Sequence, residues 1–184
     1  MGNRVLLFSV DSIPESGRHP HPIRALSEWN GGASLVQDLL VSGAPQRCQS
    51  VIWPEHRIGI VGDYDTGVQR LWTFLDALGK LGSLPEDQDF QEAVQQARGV
   101  LSSPEHRGRY MLLEAGEIFG GSMDALETEA ENYVNESIPA VVRGAETLIA
   151  RAPLPPWLAR LPDSWREELG LYWTDVLYYT PAVR

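Results

Sequence analysis

One cysteine, one lysine and no long apolar run set the first limits on this 184-residue chain. Cys48 has no partner for an intramolecular disulfide and no companion thiols for a multi-cysteine zinc site. It reads as a small buried hydrophobe in a reducing compartment. The apolar run Val5-Leu6-Leu7-Phe8 is far shorter than a secretory core and stops at Ser9, Asp11 and Pro14. No stretch approaches the roughly 20 apolar residues of a membrane span, so a cytoplasmic location is expected. Positive charge is also scarce. The 15 Lys and Arg stand against 25 Asp and Glu, giving −10 and a pI near 4.8. Such a chain repels phosphates, which argues against direct contact with nucleic acid or anionic membrane and favours a basic partner.

The remaining composition, 43% hydrophobic and 22% charged, is that of an ordinary globular protein. A chain this long can bury roughly 70% of its unfolded surface without a disulfide or metal. One domain over 1–184 is expected, with 152–184 as an aromatic, proline-rich wrapping segment. Residues 3–10 read as a buried strand, and 11–24 as an irregular loop carrying Pro14, Gly17, Pro20 and Pro22. The spacing of Leu35, Val36, Leu39 and Leu40 predicts a helix over 33–42, stopped by Gly43. Residues 50–53 and 57–61 read as a hairpin turning at Pro54-Glu55-His56. Helices are expected near 66–78 and over 86–101, and a strand over 109–114. A long helix is expected over 123–150, opened by Ser122 with Asp124 in its first turn and kinked or divided at Pro139. The resulting fold class is α+β, with a small mixed sheet containing a central hairpin and several helices, one of them long and acidic.

Few motifs carry chemistry. His19 and His21 form a His-x-His pair, but the surrounding prolines place them in a loop that does not preorganise metal ligands. Asp63-x-Asp65-x-Gly67 faintly resembles a cation-binding loop, yet its twelfth position is Phe74, which cannot be a ligand. A helix cap by one Asp, with Gly62 or Gly67 relieving the turn, accounts for the string. No nucleophile elbow, phosphate loop or zinc-protease motif occurs, so no catalytic residue, metal or cofactor is assigned. Lys80 sits at an expected helix terminus, where the dipole favours a cation. The acids at Glu86, Asp87, Asp89 and Glu92 suit a helix N-terminus in the same way.

Charge segregation is the stronger signal. No Lys or Arg occurs between Arg109 and Arg143, while Glu114, Glu117, Asp124, Glu127, Glu129, Glu131 and Glu136 supply seven negative charges. On a helix, Asp124, Glu127 and Glu131 stack on one face, and such like-charge pairs each cost a few tenths of a kcal/mol. Both a solvated face and a surface presented to a cation-rich partner fit that stripe. If it is an interface, Glu117, Asp124, Glu127 and Glu131 form its centre, with Glu114 and Glu136 outside. The tail aromatics Trp157, Trp165, Tyr172, Trp173, Tyr178 and Tyr179 read first as anchors to the core and second as interface anchors.

Several strings together carry a resemblance. They are Asn3-Arg4 before Leu7-Phe8-Ser9, Ser27-Glu28-Trp29-Asn30, Ser50-x-Ile52-Trp53, Ile60-Val61-Gly62-Asp63-Tyr64, Phe74-Leu75 and Leu112-Leu113-Glu114-Ala115-Gly116-Glu117-Ile118-Phe119. Over roughly residues 1–120 the chain resembles a family of small bacterial proteins. Some of its members look like immunity proteins encoded beside secreted polymorphic or type VI toxins. The resemblance implies a non-enzymatic inhibitor of a cognate toxin and carries over no catalytic residues. Charge makes a nuclease the expected target class, since its basic groove complements an acidic surface. Two other readings stay open: a small metal-dependent hydrolase using Asp63 and Asp65, and an adaptor or chaperone for a secreted effector. Self-association is compatible with any of them.

Overall fold

Arg4–Val10 (β1) buries successive side chains on two opposite faces, as only a strand inside a covered sheet can. The computed structural model, which describes residues 3–18, 20–120, 122, 125–179 and 181, places β1 between β2 (Ile23–Asn30) and β5 (Tyr110–Glu114). β4 (Gly59–Asp63) and β3 (Gln46–Cys48) complete the order β2-β1-β5-β4-β3. Every pairing is antiparallel, so the α+β class holds while the sheet is not mixed. β2 falls largely within a stretch to which no strand was assigned, and its start lies inside the expected loop.

The hairpin is also displaced. β3 pairs with β4, Gln46 opposite Val61 and Cys48 opposite Gly59, at the edge of the sheet rather than its centre. The apolar run at 50–53 forms turns instead. Ser50 Oγ accepts the N–H groups of Ile52 and Trp53 at 3.1 and 2.8 Å, an alternative to ladder pairing.

One sheet face carries Val5, Leu7, Ile60, Met111 and Leu113 and is covered by helices. α1 (Leu35–Val41) opens with a capping box, in which Ser34 Oγ accepts from Gln37 N and Gln37 Oε1 from Ser34 N. α2 (Tyr64–Leu78) is capped by Asp63, whose carboxylate accepts Thr66 N at 2.8 Å. α1 and α2 pack on the sheet and on each other. A Cβ on Gly62 would collide with the Val41 carbonyl, and one on Gly67 with that of Leu40. These glycines therefore permit backbone-to-backbone packing; they do not relieve a turn. α3 (Gln88–Ser102) follows, capped by Asp87.

The expected long helix is divided. α4 (Leu126–Asn132) runs into a π-helical turn at Tyr133–Ser137 and then α5 (Ile138–Ile149). Pro139 has no N–H for the Asn135 carbonyl and its ring would press on it, so the turn before it widens and Ile138 N reaches Tyr133 O. No side-chain cap bonds the start of α4, and Asp124 lies outside the described residues. Two short helices, α6 (Pro156–Ala159) and α7 (Leu161–Glu168), lie within and after the proline-rich stretch.

The opposite sheet face carries Leu6, Phe8, Val10, Val61 and Leu112. Its apolar cover comes from segments outside the helices: Ile13, Val51, Ile52, Leu177 and Tyr179. Cys48 is buried there, and that burial, with Glu114 nearby, pushes its thiol up and leaves it unreactive. Trp165 is buried against Phe90, and Trp157 and Trp173 pack on the helical core. The tail is thus mainly an anchor, although Tyr172 and Tyr178 are exposed. No described helix is long and apolar enough to cross a membrane.

Candidate functional site

Folding separates Glu114 and Glu117 from the helical acids Glu127 and Glu131, which share Arg47. Glu114 projects from β5 into the helix-free sheet face and is fully buried. Gly59, opposite it in the ladder, leaves the room its carboxylate occupies. Ser50 Oγ and Val51 N each donate to that carboxylate at 2.7 Å, and burial pushes the group up to about 7 against those two bonds. Glu114 therefore tethers the 50–53 turns and cannot be an outer contributor to a surface. Glu117 is half-buried and accepts Arg4 N at 2.9 Å, holding the start of β1.

Cations absent from the local sequence arrive from the sheet edge. Arg47 of β3 lies 3.5 Å from the Glu127 carboxylate and 3.2 Å from that of Glu131. Glu127 also accepts Arg57 N at 3.1 Å. Glu129 and Glu136 are exposed, and Glu131 remains largely so despite its pair.

Asp63 and Asp65 are occupied as well. Asp63 holds the α2 cap, its bonds from Thr66 keeping its carboxyl below the usual range, and Asp65 takes a bidentate pair with Arg107 at 2.8 Å. His19 lies outside the described residues, and no group of three potential metal ligands gathers among the rest.

What the sequence did not suggest is a pair of grooves meeting at Trp29. The first, about 550 Å³, runs between the β2 edge and the tail; Thr174 N donates to Leu26 O at 3.0 Å and Tyr178 N to Glu28 at 2.7 Å. It is lined by Tyr172, Val176 and Tyr178, which are 54%, 80% and 65% exposed. The second, about 350 Å³, has Trp29 and Trp157 as walls and Asp38, Glu167 and Glu168 as acids. Asp38 is only 6% exposed, accepts the Tyr133 hydroxyl, and is pushed by burial up to about 7. Tyr133 belongs to the π-helical turn, so the acidic helical run adjoins this cleft.

These features define an α+β protein whose candidate site is an open surface built from an edge strand, a tail and one helical run. The chain belongs to a family described as a domain of unknown function (DUF7822), whose profile matches residues 11–155. No curated protein and no solved structure matches it.

Proposed function

We propose that this protein is a non-enzymatic immunity protein that binds and neutralises a cognate secreted toxin, with a nuclease as the target class. One observation carries the reading. In a chain of net charge −10, the run Leu126–Ser137 keeps Glu129, Glu131 and Glu136 exposed, and Arg47 is the only described guanidinium that pairs with its carboxylates. That surface is a source of negative potential able to speed the approach of a basic protein and to compete with phosphates for its groove.

The test is co-expression with the toxin encoded beside its gene. Protected growth and loss of nuclease activity in the purified mixture are expected; absence of both sinks the reading. An adaptor would bind without abolishing activity, and a hydrolase would show a metal-dependent thermal shift that Asp63→Asn removes. The triple reversal Glu129→Lys, Glu131→Lys and Glu136→Lys should slow association about tenfold at low salt and leave the melting temperature within a few degrees. Unchanged association at low salt would remove this helix from the mechanism.

A further inference from the structure

We propose that the two grooves meeting at Trp29 form one docking face for a basic, extended segment of a protein partner, with an arginine or lysine entering the Trp29–Trp157 cleft. Three observations converge. Of the four large hydrophobics exposed among the described residues, Tyr172, Val176 and Tyr178 line a single groove. Apolar exposure gathered in one place, unlike scattered exposure, marks a binding surface. That groove follows β2, an edge strand whose outer side the tail meets at Leu26, the arrangement by which sheets accept extended chains.

Charge then selects the occupant. The guanidinium of Arg4 lies 3.8 Å over the Tyr178 ring in the first groove, whereas no described Lys or Arg lines the second, which carries Asp38, Glu167 and Glu168. Glu28 is paired with Arg4 at 3.2 Å; no ion pair is formed by Asp38, Glu167 or Glu168 among the described residues. A flat cation in a cleft lined by two indoles and by carboxylates gains both pairing with a carboxylate and stacking on a ring. A second copy of this chain would bring another −10 to the same face and is disfavoured. This proposal rests on the toxin-binding reading, for which it names the anchor, while the acidic helical run supplies steering.

The probe is an acetylated, amidated hexapeptide alternating leucine and arginine, with a leucine–glutamate counterpart. Titration into the full chain should shift the indole N–H signals of Trp29 and Trp157, and the glutamate peptide should not. The exposed-residue variants Glu167→Gln/Glu168→Gln and Tyr172→Ala/Val176→Ser should each weaken peptide binding about tenfold with unchanged melting. Binding by the two variants as tight as that of the wild type, or shifts centred elsewhere, overturns the face. So does a wild-type dimer in sedimentation that Tyr172→Ala/Val176→Ser dissolves, because the occupant is then a second copy. Toxin protection separates the two levels: a wild type that protects beside variants that protect equally leaves the immunity reading standing without this face. A wild type that binds the arginine peptide through Trp29 and fails to protect leaves the face without that reading.

Discussion

Two carboxyl groups, Glu114 and Asp38, give the protein a pH dependence opposite to that of most acids. Each is buried, each is bonded to a hydroxyl, and each titrates near 7 in place of the ordinary 4.5 and 3.8. Between those limits the folded state holds protons that the unfolded chain has released, so stability falls as pH rises from about 4 to 7 and levels off above. The loss is of order 3 kcal/mol for each group. Asp63 and Asp87, held below the usual range by their cap bonds, act the other way and lose their contribution as pH falls through the lowered values. Melting should therefore be higher at pH 5 than at pH 8. Glu114→Gln keeps an acceptor oxygen for Val51 N, loses the acceptor for the Ser50 hydroxyl and should reduce that difference to the share that Asp38 supplies; a slope unchanged by the substitution would show that Glu114 is not a source of it. At the surface, Asp63→Ala removes the α2 cap and should cost about 1 kcal/mol in urea titrations.

Elements were legible where their signal is local. β1, β5, α1 and α2 announce themselves by apolar residues, and the starts of α2 and α3 by the acids at 63–65 and 86–89; the Ser34 cap of α1 emerges only in the structure. β2 did not, because Arg24, Glu28 and Asn30 interrupt its apolar pattern, as suits an edge strand. Residues 50–53 misled for the converse reason: their β propensity is overridden by Ser50 Oγ and the distant Glu114. In the acidic run the sequence shows the negative charges but not their cation, since Arg47 reaches Glu131 from 84 residues away. Gly62 and Gly67 admit backbone contacts with α1, a role that no turn signal in the sequence reveals. Their replacement by Ala should force α1 off β4 and α2 and cost about 3 kcal/mol each, measurable by denaturation. A cost below about 0.5 kcal/mol would mean that α1 is free to shift.

At the scale of the whole molecule, the proposed recognition divides between an acidic surface and an aromatic face. Association with a basic partner should slow at least tenfold between 50 and 500 mM salt, while dissociation responds mainly to substitutions around Trp29. Stopped-flow and dissociation measurements check the two halves separately. The candidate face itself was invisible in sequence because it joins Trp29, Trp157 and Tyr172, residues brought together only by the tail returning to β2.

The position of β1 reaches further than packing. It is the plank between β2 and β5, and its Val5 carbonyl receives the buried Gln37 amide of α1, yet it lies outside the span 11–155 shared with the family. Trimming the polypeptide to that span would strand β2 without a neighbour, bare the underside of the sheet where Leu177 and Tyr179 rest, and delete one wall of the cleft at Trp157. The minimal folding unit is thus longer than the shared segment at both ends.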